Sequence, residues 1–255
     1  MKNETDNPIV LKNVSISFEG RSILKGIDLE VKKGETVVLF GPSGVGKTLI
    51  LKLCMGLVQP DEGEIYLDGH NIAVMDEHEL DEVRKSCGML FQYYALFDSM
   101  TVYENIGFFL REHLNLKPSD LKARVDELLG LIDLPGIGDQ KPAQLSGGMK
   151  KRVGIGRALA HEPKIVFYDS PTDGLDPRTA DRINDMILDL GKRTQVTSLA
   201  ISNDMATAYK IGTRIGMLFD GNILEIGTPE EIRNTQNPYV RQFIEGNEEG
   251  PIQYL

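Results

Sequence analysis

The sequence predicts an α/β fold: a mostly parallel core sheet flanked by helices, with an N-terminal antiparallel β subdomain and a helical insertion at about residues 95–160. Three observations carry this. Ile27, Leu29 and Val31 alternate with Asp28 and Glu30, the period of a half-exposed antiparallel strand. Residues 37–40 (VVLF) are instead continuously apolar and run straight into a glycine-rich loop, as a strand covered on both faces does. Beyond residue 160, short apolar runs alternate with helix-period segments, the βα order of a parallel sheet.

Taken in order, residues 9–18 and 23–31 read as strands, and 37–40 as the buried strand before a helix over 49–55. Turn chemistry at residues 61–63 and 68–69 brackets a strand at 65–67. From about 95 to 143 the pattern is helical, with Leu121, Val125, Leu128 and Leu129 on one face. Strands return at 165–168, 197–201 and 215–219, spaced by helices such as 178–190. Asp220 and Gly221 turn the chain into a strand at 223–226, and Thr228, Pro229 and Glu231 form a capping box with proline at the first helical position. Residues 1–245 are expected to form a single domain and residues 246–255 a tail.

At 255 residues and 41% apolar content the chain can bury one full core. A net charge of −10, with both signs mixed along the chain, argues against a nucleic-acid partner. The polar, acidic start lacks the order of a secretory signal, and no apolar run approaches the roughly 20 residues of a membrane helix. The expectation is a cytoplasmic chain with no direct membrane insertion, whose membrane role comes through a partner. Cys54 and Cys87 have no metal-ligand spacing and read as reduced packing residues.

Residues 41–48, Gly41, Pro42, Ser43, Gly44, Val45, Gly46, Lys47 and Thr48, fit G-x-x-x-x-G-K-[ST] between a buried strand and a helix. The glycines let backbone N–H groups approach phosphate oxygens at the positive end of a helix dipole. Lys47 reaches the β and γ phosphates in this arrangement, and the Thr48 hydroxyl holds Mg²⁺. The apolar run 165–168 ends in Asp169, a carboxylate placed to meet the hydrated metal. Ser146, Gly147 and Gly148 open another helix, and the residues alone leave two readings: simple capping by Ser146, or a second anion-binding terminus.

The P-loop, LSGGM at 145–149, apolar strand and aspartate, in this order, resemble the ATP-binding-cassette (ABC) ATPases, over essentially the whole chain. The resemblance implies a P-loop NTPase fold of ABC type and a homodimer in which Ser146, Gly147 and Gly148 of one subunit cover the γ-phosphate of ATP held by the other. Phe18, 29 residues before Lys47, resembles the aromatic that stacks on adenine; its alternative is a core residue on a strand face. Gln92 resembles the glutamine that joins Mg²⁺ to a transmembrane partner, and Gly174, Leu175 and Asp176 a loop that links the two ATP sites. With Lys47 and Asp169, Gln92 is a candidate catalytic residue, and with Thr48 and Asp169 a candidate metal ligand.

Two positions depart from the pattern. Where the family has a glutamate that deprotonates water, this chain has Ser170, and where it has a histidine at the γ-phosphate, this chain has Asn203. A serine cannot take a proton near neutral pH, and losing a positioned base costs roughly 10²–10⁴ in rate, or about 3–5 kcal/mol. Asparagine can donate a hydrogen bond but not relay a proton. Asp173 is a carboxylate three residues beyond Ser170 that could act as a stand-in base through a water. Residues 89–113 (MLFQYYALFDSMTVYENIGFFLREH) and the tail sequence RQFIEGNEEGPI resemble the ATPase subunits of bacterial Mla and Mce lipid-transport systems. That resemblance implies a peripheral subunit beneath a phospholipid permease, with a C-terminal extension that holds its neighbour. A catalytically degenerate nucleotide-binding regulator is the alternative.

Overall fold

The computed structural model describes residues 7–114 and 116–253; expectations that fall on residues 1–6, 115, 254 and 255 lie outside it. β1 (Ile9–Phe18) and β2 (Arg21–Val31) form an antiparallel hairpin in which Ile27, Leu29 and Val31 are buried and Asp28 and Glu30 exposed. One face of this hairpin lies on the core and the other meets solvent, hence the alternation. β3 (Thr36–Phe40) leads through the glycine loop into α1 (Lys47–Cys54), and the chain returns as β4 (Glu62–Leu67), paired with β1, and β5 (His70–Asn71) at the edge. Then come α2 (Glu77–Arg84), started by a capping box between Asp76 and Glu79, and β6 (Cys87–Leu90).

The insertion supplies α3 (Val102–His113), α4 (Pro118–Leu131) and α5 (Gly147–Leu159), whose Val102, Ile106, Leu110, Val125, Leu128 and Val153 share a core of their own. The remainder alternates: β7 (Ile165–Asp169), α6 (Pro177–Thr194), β8 (Thr197–Ser202), α7 (Met205–Ile211), β9 (Arg214–Phe219), β10 (Asn222–Gly227), α8 (Pro229–Arg233) and α9 (Pro238–Glu245). Among the described residues the first sheet runs β2-β1-β4-β5 and the second β10-β9-β3-β8-β7-β6. In the second, β9, β3, β8, β7 and β6 are mutually parallel and β10 is antiparallel to β9.

β3 is paired on both edges, by β8 and β9, and both of its faces are covered. Val37 and Leu39 enter the core shared with α1 and the antiparallel sheet; Val38 and Phe40 enter the core beneath α6, α7 and α9. This is why the strand is apolar without alternation. The parallel register sets Phe40 beside Ser202 and Asp169 beside Ile201, so the carboxyl ends of β3, β7 and β8 meet along one edge. Open parallel sheets carry their sites there.

Two expectations need correction. The insertion is not helical from residue 95: the buried Asn105 side chain accepts the Phe97 N–H and donates to the Phe97, Met100 and Thr101 carbonyls, pinning an irregular segment before the Thr101–Glu104 capping box starts α3. The first helix starts at Lys47 rather than 49, directly behind Gly46. The described part of the tail, through residue 253, packs on its own chain. Gln242 accepts from the Ile252 N–H at 2.7 Å and donates to the Ile252 carbonyl at 3.0 Å, and Ile252 enters its own subunit's core. Apolar cover is nearest at hand there. Cys54 and Cys87 are buried and unpaired, and burial pushes the Cys87 thiol up to about 11, consistent with packing rather than redox chemistry. Among the described residues no helix is long and apolar enough to cross a membrane.

Candidate nucleotide site

Gly41 leaves β3 with φ 145°, and a Cβ there would lie 2.2 Å from the Leu218 carbonyl oxygen of β9, so the loop starts where only glycine fits. Gly46, at φ 102°, closes the loop and caps α1, whose unpaired N–H groups open towards it. The Lys47 side chain curls back: its ammonium donates to the Gly41 carbonyl at 2.7 Å and the Pro42 carbonyl at 2.6 Å. Burial lowers its pKa to about 8, against the opposing pull of Asp169. A cation arching the loop over itself holds the backbone in the shape that phosphate oxygens require.

Asp169 ends β7 at 4% exposure, with the hydroxyls of Ser170 and Thr48 near enough to favour its charged form. Burial raises its pKa; the Ser170 hydroxyl, Lys151 and the Thr48 hydroxyl oppose the rise. Its Oδ1 is buried with no partner. An orphaned carboxylate oxygen beside a threonine hydroxyl is costly for the protein alone, and is a hard oxygen pair of the kind Mg²⁺ takes. These residues fit the metal.

Ser170 is buried in a left-handed turn at φ 49°, its N–H donating to the Ile201 carbonyl at 3.0 Å. Asn203 follows β8 and points its Nδ2 at the Ser43 hydroxyl, 3.5 Å away. Together with Asp173 and Ser202 they line a cleft of about 550 Å³. Gln92, beyond the end of β6, donates from Nε2 to Asp173 Oδ2 at 2.9 Å. Sequence reasoning missed Lys151. It is fully buried, and its ammonium donates to the Gln92 carbonyl at 2.8 Å and the Ser170 carbonyl at 2.9 Å, with the Tyr94 ring 5.3 Å away. Burial lowers its pKa to about 8. The signal was available: Lys151 sits three residues after Gly148 and four before Ile155, on the buried face of α5.

Phe18, at the end of β1, is 48% exposed, which excludes the core alternative and leaves an aromatic face open. The β2 end of that hairpin touches the loop: Ile23 and Leu24 would each be 3.1 Å from a Cβ at Gly46. Ser146 accepts the Met149 N–H at 3.3 Å and so caps α5. A Cβ at Gly147 would lie 3.2 Å from the Tyr94 hydroxyl, and one at Gly148 2.5 Å from Thr179 Cγ2. The structure thus gathers Lys47, Thr48, Asp169, Ser170 and Asn203 around one sheet edge, while Ser146, Gly147 and Gly148 border Tyr94 and Thr179.

Residues 24–173 match the ABC transporter family. The chain belongs to the ABC transporter family. It is 38% identical over 232 residues to the Fe(3+) ions import ATP-binding protein FbpC of Photobacterium profundum, covering 91% of this chain and 64% of that one. It is also 36% identical over 248 residues to the intermembrane phospholipid transport system ATP-binding protein MlaF of Haemophilus influenzae, covering 97% of this chain and 94% of MlaF. Among solved structures it is similar to the ATP-binding cassette MJ0796, a dimer in a post-hydrolysis state bound to ADP and Pi, with TM-score 0.80 and 32% identity over 87% of this chain and 98% of that one. The ABC fold, with an antiparallel N-terminal sheet and a parallel-rich core sheet, is the one described above.

Proposed function

We propose that this ABC chain binds MgATP between two copies of itself and is the ATP-binding subunit of a Mla/Mce-type phospholipid transport system, peripheral to a membrane permease on its cytoplasmic face. The match with MlaF, 36% identical over 97% of this chain, and the likeness of residues 89–113 to Mla and Mce ATPases support the choice of lipid. In this reading residues 1–245 form one domain. Gly41, Pro42, Ser43, Gly44, Val45 and Gly46 wrap the phosphates, Lys47 exchanges its loop carbonyls for β- and γ-phosphate oxygens, and Phe18 stacks on adenine. Mg²⁺, when bound, neutralises charge on the phosphates; Thr48, Asp169 and Gln92 are the residues to hold it. Ser146, Gly147 and Gly148 serve the second copy's nucleotide. Each γ-phosphate then favours the closed pair by bridging two subunits. Reopening follows loss of that phosphate, slowed by Ser170 and Asn203.

The test is phosphate release by the chain assembled with its permease in lipid vesicles, alongside transfer of labelled phospholipid. Release and transfer that both vanish in Lys47→Ala support the reading; turnover that survives Lys47→Ala removes the ATP site from it. Ser170 and Asn203 also favour a second reading, a regulator that binds ATP and dimerises without turnover. Its signature is ATP-dependent pairing with no Lys47-dependent phosphate release.

A further inference from the structure

Gln92 is held at both ends. Its main-chain carbonyl accepts from the Lys151 ammonium, and its side-chain Nε2 donates to Asp173 Oδ2. Lys151 also holds the Ser170 carbonyl, which in turn accepts the Asp173 N–H at 3.2 Å, so Gln92, Ser170 and Asp173 are tied to one another around a single buried cation. An ionised carboxylate only accepts hydrogen bonds, whereas an amide has one donating and one accepting end. Facing Asp173, the Gln92 amide therefore has one satisfied orientation, with nitrogen towards the carboxylate and oxygen away from it. A serine or asparagine at position 173 could both donate and accept, and would leave both orientations open.

The geometry points to Asp173 as a positioning residue that fixes which end of the Gln92 amide is offered to the divalent cation accompanying the nucleotide: the oxygen, which can ligate, rather than the nitrogen, which cannot. This rests on the reading of the chain as a MgATP-binding subunit. It also gives the carboxylate found three residues beyond Ser170 a task other than the one missing at position 170. Asp173 orients a candidate ligand through its amide.

The full chain and its Asp173→Asn, Gln92→Ala, doubly substituted and Lys47→Ala forms are compared by two binding measurements. Calorimetry gives ATP affinity with EDTA present, and electron paramagnetic resonance gives Mn²⁺ affinity of the ATP complex. Asp173→Asn preserves size, so metal-free ATP affinity and the melting temperature stay unchanged while Mn²⁺ affinity falls about twofold, the loss expected when the ligating orientation becomes one of two equally satisfied ones. In the Gln92→Ala background the same change should add nothing, because the pair is already broken. Unchanged Mn²⁺ affinity in Asp173→Asn, or an equal loss with and without Gln92, overturns the assignment. ATP binding indifferent to Lys47→Ala would instead remove the MgATP reading, and this inference with it. Lys47-dependent binding with unaltered Mn²⁺ affinity in Asp173→Asn would remove the inference alone.

Discussion

Ser170 and Asn203 sit where hydrolysis is decided, and their surroundings say what restoring the family's residues should do. Ser170 is buried beside Asp169 in a left-handed turn, and Asn203 faces the Ser43 hydroxyl. Ser170→Glu together with Asn203→His should raise steady-state phosphate release by about 10²-fold, the lower end of what a positioned base contributes. The lower end is expected because a longer side chain must be accommodated in the buried turn at φ 49°. Equal rates would mean that another group already activates the water. The residues that bind phosphate were legible because their spacing is dictated by one short loop. Lys151 was not, because a lysine in a helix ordinarily marks a solvated face and only its partners, the Gln92 and Ser170 carbonyls, explain its burial.

Among the elements, strands were read more surely than short helices. β3 and β7 announce themselves by the unbroken apolar runs that both-sided burial demands, and β8 by its central Leu199, Ala200 and Ile201. α2 and α7 escaped notice because eight and seven residues give too few turns for a period to show. The β6–α5 contact makes a testable case of close packing. A Cβ on Gly88 of β6 would lie 2.1 Å from the Ala158 carbonyl oxygen of α5, backbone that cannot rotate aside. Gly88→Ala should cost about 1–3 kcal/mol, seen as a lower urea midpoint at unchanged slope. After α5, His161 stacks on Phe109 at 4.1 Å, takes up the Cys87 carbonyl through Nε2 and leaves Nδ1 buried without a partner. Burial lowers its pKa below the ordinary 6.5. The unfolded chain therefore binds the proton more readily, and stability contributed by neutral His161 falls as pH drops through the unfolded pKa of about 6.5. Melting between pH 7 and 5.5 should show a smaller decline in His161→Phe than in the parent; an identical decline would place the acid sensitivity elsewhere.

For the whole molecule the question is how two copies would share two sites. Gln242 fastens the segment through Ile252 to its own subunit. The nucleotide site offers a route to pairing: Ser146 caps α5 beside Tyr94 and Thr179, while Lys47 lies under the loop at the sheet edge. If each ATP is enclosed by the loop of one copy and the α5 start of the other, MgATP should hold the unaltered chain as a dimer in light scattering. Lacking the glutamate and histidine, that dimer should outlast its doubly restored Ser170→Glu, Asn203→His counterpart by about 10²-fold, the same barrier read as a lifetime. A mixing experiment separates this arrangement from any pairing that leaves each site within one chain. Lys47→Ala loses the phosphate-binding half and Ser146→Arg blocks the covering half, so each alone should remain monomeric with MgATP. Mixed, they assemble one fully intact site, from the loop of the Ser146→Arg chain and the α5 start of the Lys47→Ala chain, opposite one doubly defective site. Partial recovery of dimer in the mixture is the expected result. Failure to recover, with both variants folded, would mean that the two halves do not meet across copies.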